Sequence, residues 1–223
     1  MIKIFNYQIS KTSKQKQYTN DQIIEDIFKN KVINIFDVGA NIGQSIDRFK
    51  KIFAENANIY AFEPQKNCYD QLLNKFGNYN KVKAFNVLVS NECEDIVFNI
   101  SNNKNNTQSS VYEYENTKYT YVNNLKMVKK EIIKKERIIK LDDFCNKYKI
   151  NQIDFLKIDT QGSEVDILKS AEQLILNKKI KILEIEMNFS EKPIYKNTSV
   201  SFYNIESILN NNYRLFAIPD RGN

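Results

Sequence analysis

Ile35-Phe36-Asp37-Val38-Gly39-Ala40-Asn41-Ile42-Gly43, followed after a helical stretch by Ala61-Phe62-Glu63-Pro64, decides how this chain folds. The first run reads as a buried strand, a glycine turn and the opening of a helix. The second reads as a strand that ends in a carboxylate. A glycine turn lets backbone approach a ligand closely, and a carboxylate about 20 residues further on suits a ribose diol. Dinucleotide enzymes and S-adenosylmethionine (SAM) enzymes share both features, and Asp37 separates them. A carboxylate two residues before the first glycine would repel a pyrophosphate over the turn, and would attract the ammonium and sulfonium of SAM. Asn41 holds the place of the middle glycine, and Asn tolerates a left-handed backbone. Together these residues read as a SAM pocket.

Outward from this centre, apolar residues at 23, 24, 27 and 28 give helical spacing over 21–30, with Thr19, Asn20 or Asp21 available as caps. Strands are expected at 32–38 and 58–63, helices at about 43–54 and 66–76 (the second closed by Gly77), and a third strand at 82–89. Such alternation implies right-handed crossovers and a parallel sheet. It breaks over about 92–140, which reads as an insertion of irregular strands and loops and as the seat of substrate specificity. Within it, 95–100 look like a strand and 102–110 like a polar loop. Tyr112, Tyr114, Tyr119 and Tyr121 either stack on a sugar or base or sit half-buried on a hairpin. Regularity returns with a helix at about 141–148, a strand at 153–159, a turn at Thr160-Gln161-Gly162 and a helix over 163–176. A strand at 180–187, a helix at about 201–211 and a strand at 213–218 follow. Residues 1–31 make an N-terminal extension with one helix, and 32–223 the main domain.

Bulk properties agree with one α/β domain: 223 residues, 42% hydrophobic and 27% charged. No apolar run approaches the roughly 20 residues that cross a bilayer, and the first residues are too short and mixed for a secretory signal. Cys68, Cys93 and Cys145 are scattered without zinc spacing and read as free thiols in a reducing cytoplasm. A formal charge of +6 and a pI near 9.0 raise nucleic acid as a partner. The basic residues are almost all Lys, however, in a chain rich throughout in Lys, Asn and Ile. The cluster of lysines 129, 130, 134 and 135 is interspersed with Ile and Glu and reads as a solvated face.

A second constellation, Leu156-Lys157-Ile158-Asp159-Thr160-Gln161-Gly162-Ser163-Glu164, places Asp159 at the carboxyl end of a central strand. Open α/β sheets bind ligands at that edge, although a turn-capping Asp is the plainer alternative. Glu164 falls in the first helical turn, where the dipole favours any anion. Glu186 ends the 180–187 strand on the same edge, as a ligand-facing group or an exposed strand-end charge.

At these residues the chain resembles the FkbM family of SAM-dependent methyltransferases. The resemblance is carried by 37–43, 61–64, Leu141-Asp142-Asp143-Phe144, the run from Leu156 to Leu168, and Glu186 followed by Pro193-Ile194-Tyr195, in the family's order over about residues 30–220. It implies a Rossmann-like class I methyltransferase fold, a mostly parallel sheet with helices on both faces, and most often O-methylation of a sugar or secondary metabolite. It also implies that Asp37, Gly39, Ala40, Asn41, Gly43, Glu63 and Pro64 line the SAM pocket, with Leu88 near the adenine. Asp159 and Glu186 would face the reacting hydroxyl, with Glu164 beside them. The chain departs from the family at Leu88, where Ala is common, and at Gln161, where Glu is frequent. Class I sheets end with a hairpin, but this chain stops at Asp220-Arg221-Gly222-Asn223. The sheet is therefore expected to lack its usual last strand, unless that strand is supplied otherwise. An open edge invites pairing, so a homodimer through it or a truncated chain is the expectation.

A hydroxyl is a poor nucleophile until its proton leaves, and a positioned base helps it. The chain has no histidine. A carboxylate is the natural substitute, Asp159 first and Glu186 second. Asp159, Glu164 and Glu186 are also oxygen ligands of the kind Mg²⁺ takes, but sequence spacing does not show that they converge, and a metal is not favoured. The acceptor implied by the resemblance is a small molecule or sugar, in the cytoplasm, as in polysaccharide biosynthesis. Three other readings stay open. An RNA methyltransferase fits the charge but shows no nucleic-acid module. A dinucleotide oxidoreductase is disfavoured by Asp37. A non-catalytic SAM-binding protein remains, because fold does not fix function.

Overall fold

The structure, a computed structural model, describes residues 2–5, 19–101, 109–113, 127–187, 201–209 and 212–217. In chain order the strands are β1 (Ile2–Phe5), β2 (Ile33–Val38), β3 (Ala57–Phe62), β4 (Val82–Phe85), β5 (Leu88–Val89), β6 (Ile96–Ser101), β7 (Met127–Ile133), β8 (Ile138–Ile139), β9 (Ile153–Ile158), β10 (Ile180–Ile185) and β11 (Arg214–Ala217). The α-helices are α1 (Asn20–Ile27), α2 (Gln44–Phe53), α3 (Lys66–Phe76), α4 (Leu141–Tyr148), α5 (Glu164–Ser170), α6 (Glu172–Leu176) and α7 (Phe202–Leu209). Of the caps expected for α1, Thr19 is used. Its Oγ1 accepts the Gln22 N–H at 3.2 Å while Gln22 Oε1 accepts the Thr19 N–H at 2.9 Å, a reciprocal box.

The main sheet is seven-stranded, in the order β11-β1-β10-β9-β2-β3-β4. Strands β10, β9, β2, β3 and β4 run parallel. β1 is antiparallel to both β10 and β11. This is the mostly parallel class I sheet. Of the two alternatives for its last strand, the structure takes the one in which the strand is supplied otherwise: the slot beside β10 is filled by Ile2-Lys3-Ile4-Phe5, whose β-branched and aromatic residues favour a strand. The N-terminal extension thus contributes a strand as well as a helix. The edge on which the homodimer expectation rested is paired within the chain.

Two further expectations are corrected. The strand expected at 82–89 is divided into β4 and β5, because the Asn86 side chain donates to the carbonyls of Glu63 and Pro64 (2.9 and 3.1 Å) and turns the chain there. β5 leaves the main sheet to pair with β8. The helix expected over 163–176 breaks at Ala171. Ser170 Oγ bonds back to the Ile167 carbonyl, and Asp142 of α4 accepts from the amides of Gln173 and Leu174, capping α6 as a separate helix. In the insertion, β6 and β7 form an antiparallel pair. Tyr114, Tyr119, Tyr121 and the Pro193-Ile194-Tyr195 run lie outside the described residues. Among the described residues no helix is long and apolar enough to cross a membrane.

Side chains alternate across the sheet with a period of two. Ile35, Ile59, Phe155 and Ile182 pack under α1, α2 and α3 with Ile46, Phe49 and Phe76. Phe36, Phe62, Leu156 and Leu183 pack under α4 to α7 with Phe144 and Ile167. The same parity puts Asp37, Lys157, Asp159, Glu184 and Glu186 on the α1–α3 face.

Candidate active site

β2 is followed on one side by β3 and lies on the other against β9. The carboxyl ends of β2 and β9 therefore open a crevice where the strand order reverses, the place ligands bind in open sheets. A cleft there is lined by Gly39, Ala40 and Asn41 after β2, by Glu63 and Pro64 after β3, by Leu88, and by Lys157, Asp159 and Gln161 of β9 and its turn. Phe98 and Ser109 of the insertion complete it. Of the residues singled out in the sequence, Gly39, Ala40, Asn41, Glu63, Pro64, Leu88 and Asp159 thus line this one cleft. Asp37, Gly43, Glu164 and Glu186 are not among its lining residues.

The glycine turn is held tightly. The amides of Gly39 and Ala40 both donate to the Phe62 carbonyl at 3.1 Å. Gly39 has φ +81°, and a Cβ there would come within 2.0 Å of the Asp159 carbonyl oxygen, so the two strand ends can approach only at glycine. Asn41 takes the left-handed conformation (φ 50°), with its Oδ1 accepting the Ile42 amide at 2.8 Å. Glu63 is buried across the cleft, and its two oxygens accept the amides of Asn41 and Gln65, each at 2.8 Å. A carboxylate has about four acceptor positions, so two remain for hydroxyls of a ligand. Burial pushes the Glu63 carboxyl up to about 7, against the pull of the two amides. Gly43 answers a different demand. A Cβ there would lie 2.3 Å from a ring carbon of Phe76, so the glycine lets α2 pack on α3 rather than lining the pocket.

Asp37 also departs from expectation. It is fully buried, cross-strand from Lys157, whose Nζ lies 3.3 Å from Oδ1. Neither Asp37 oxygen has a hydrogen-bond donor among the described residues. Burial pushes the Asp37 carboxyl up while the Lys157 ammonium opposes it. Lys157 is in turn opposite Glu184 in the register, and Nζ lies 3.4 Å from Asp159 Oδ2. Burial works against its ammonium, but Asp37, Asp159 and Glu184 outweigh burial and raise its pKa above the usual lysine value. Glu184 is met from the helix layer by Arg48, at 2.8 and 3.1 Å, and Arg48 also holds Asp21 of α1. What a ligand meets beneath the turn is therefore an ammonium. Asp37 does not exclude a pyrophosphate in the way its sequence position suggested. The missed residue, Lys157, had a signal: it lies two before Asp159, on the same face of the sheet.

The turn after β9 is clamped by Glu164, which is buried and accepts from the amides of Thr160 (3.1 Å) and Gly162 (3.0 Å) and from Thr160 Oγ1 (3.2 Å). It faces its own turn rather than a substrate, which corrects its grouping with the reacting residues. Gln161 sits left-handed at φ 58°, with Nε2 donating to Asp159 Oδ1 at 3.1 Å and to Glu186 Oε2 at 2.7 Å. Glu186 thereby joins Asp159 at the rim of the cleft. Burial would raise the Asp159 carboxyl, but the Lys157 ammonium, a proton shared with Glu186 and the Gln161 amide outweigh it and hold the carboxyl below its usual range. The insertion docks on this turn: Ser110 Oγ donates to the Gln161 carbonyl at 2.6 Å, and the Tyr112 hydroxyl to Asp166 at 2.8 Å. On the opposite wall, Arg137 donates to the carbonyls of Asn86 (3.0 Å) and Pro64 (2.5 Å). Among the described residues no group of three or more acidic or thiol side chains is placed to hold a metal ion. Lys130 and Lys134, from the basic cluster, pair with Glu113 and Asp95 on the exposed face.

The family model for the methyltransferase FkbM domain matches residues 37–215, from Asp37 through both turns to β11. The chain is similar to the 2-O-methyltransferase NoeI of Sinorhizobium fredii (strain NBRC 101917 / NGR234), with 22% identity over 167 residues, covering 73% of this chain and 65% of NoeI. It therefore spans just under two thirds of that relative. Among solved structures it is similar to the methyltransferase FkbM of Methylobacillus flagellatus KT, with 18% identity and a TM-score of 0.44 over 69% of this chain and 32% of the other. A SAM-dependent methyltransferase from Aquifex aeolicus is similar at 14% identity and a TM-score of 0.39, over 86% of this chain and 78% of the other. With its family match covering most of its length, including both turns of the cleft, the chain belongs to the FkbM family of SAM-dependent methyltransferases.

Proposed function

We propose that the protein transfers the methyl group of SAM to a hydroxyl of a sugar or glycan precursor, in the cytoplasm. The observation that carries this reading is that Glu63 and Asp159 line one cleft, with Glu186 tied to Asp159 at its rim by Gln161. The similarity to a 2-O-methyltransferase supports oxygen as the atom methylated. Glu63 would accept from the ribose hydroxyls, the 39–41 turn would receive the cofactor along its backbone, and Leu88 with Pro64 would face the adenine. When bound, SAM supplies an electrophilic methyl on a cationic sulfur. The chain supplies orientation, which is worth up to roughly 7–11 kcal/mol in favourable cases. Asp159 accepts the hydroxyl's hydrogen bond. The Lys157 ammonium and the Gln161 amide favour its ionised form, so no proton must first be removed from it. It is also a weak base, so the hydroxyl's proton leaves late, onto the Asp159–Glu186 pair.

The test is transfer from methyl-labelled SAM into a panel of nucleotide sugars and oligosaccharides, with bulk RNA in parallel. Label in a sugar acceptor, reduced at least a hundredfold in Asp159→Asn while SAM still binds, is the expected result. Label in RNA would replace the sugar reading by a nucleic-acid one. Binding of SAM without transfer to any acceptor would leave a non-catalytic binding protein.

A further inference from the structure

Lys157 is the only cationic side chain among the cleft's described lining residues, and its side chain is only 6% exposed. Its ammonium has three N–H donors. Its carboxylate neighbours within 4 Å are Asp37 at 3.3 Å and Asp159 at 3.4 Å. Both are longer than the 2.7–2.9 Å, approximately, of a well-formed charge-assisted hydrogen bond. The ammonium is therefore anchored on two sides and still able to serve a third acceptor from the cleft that it lines. The other ionisable lining residues are Glu63 and Asp159, both acids. Lys157 and Asp159 together present a positive and a negative group side by side. The lysine suits a single carboxylate of a ligand, and the aspartate beside it is left to the acceptor's hydroxyl. A doubly charged phosphate would meet Asp159 with the wrong sign.

We propose that Lys157 binds the α-carboxylate at the amino-acid end of SAM, and that Asp37 is a positioning residue acting through it, buried beneath the turn to hold the ammonium in place. This rests on the reading of the cleft as the SAM site. It also gives the family's aspartate before the glycine turn a role that needs no contact with the cofactor.

The test is calorimetric titration with SAM and with decarboxylated SAM, which keeps the sulfonium, ribose and adenine but lacks the carboxylate. The wild-type protein should bind SAM at least tenfold more tightly than the decarboxylated compound. Lys157→Met should bind the two equally, and Lys157→Arg, which keeps a cation, should retain the preference. Because Lys157→Met leaves Asp37 buried without a cation, Asp37→Asn/Lys157→Met is titrated alongside, with folding followed by circular dichroism. Equal binding of the two compounds by the wild-type protein overturns the assignment of Lys157 and leaves the SAM site standing. A preference that survives in the folded double variant does the same. Failure of the wild-type protein to bind SAM at all overturns both.

Discussion

On the α4–α7 face of the sheet, Phe36, Phe62, Phe85 and Phe144 meet with ring centroids 4.9–5.7 Å apart, mostly edge-on or tilted. On the α1–α3 face, the positions two beyond Ile35, Phe155 and Ile182 carry Asp37, Lys157 and Glu184 in one cross-strand row. β2 carries both, with Phe36 in the aromatic cluster and Asp37 in the charge row, while β9 and β10 set Leu156 and Leu183 behind Lys157 and Glu184. Aromatic packing loses energy in proportion to the volume removed. A buried charge row behaves differently: taking out one member leaves its partner without compensation. The charged side is also the side that reaches the cleft, through Lys157 and Asp159.

The contrast can be broken at either face. Phe144→Ala removes a ring that touches Phe36, Phe62 and Phe85 and should cost about 3–5 kcal/mol in denaturant unfolding. The protein that remains folded should bind SAM as before. Weakened binding would mean that the aromatic face also shapes the site. Arg48→Met takes the helix-borne partner from fully buried Glu184 and should cost about 3 kcal/mol. Arg48→Met with Glu184→Leu should cost less than the single change. Additive losses would show that the row is ordinary packing.

Glu63 sharpens the comparison through pH. Its folded carboxyl lies at about 7, above the ordinary 4.5. The folded protein therefore holds a proton that the unfolded chain has lost, and the group's contribution to stability falls as pH rises from about 4.5 to 7. Glu63→Gln should remove that slope from urea unfolding curves. The ionised form is the better acceptor for ribose hydroxyls, so SAM affinity should rise about tenfold between about pH 6 and pH 8, and should not in Glu63→Gln. A flat profile in the wild-type protein would remove Glu63 from the ribose. The smallest effect belongs to the solvent side of the insertion. Lys134→Ala breaks an exposed pair with Asp95 and should leave the unfolding midpoint unchanged.

What could be read from the chain beforehand was local. The two strand–turn–helix passages and the left-handed Asn41 follow from residue types at short spacing, and Glu63 meets Asp159 because a parallel sheet brings both strand ends to one edge. Parity along 153–159 would also have put Lys157 on the face of Asp37. The rest depends on partners distant in sequence. Gly43 is needed because Phe76 packs there, and the helix over 163–176 breaks because Asp142 caps it from another element. Glu164 turns inward because two backbone amides of its own turn claim it. Nothing near residues 2–5 announces a partner about 180 positions away.

That last pairing has a consequence for how the molecule is made. β1 leaves the ribosome before every other described strand, yet its two neighbours, β10 and β11, are the last two of them to be translated. Until they arrive, the leading strand has no partner, and contacts of such long sequence separation are slow to close. Among the described residues β11 in turn has β1 as its only neighbour in the sheet. The nascent chain can assemble the β2–β3–β4 half with its glycine turn early, and it completes the other half only when β1 meets β10 and β11. A substitution that weakens β1 pairing would therefore load the closing step of folding.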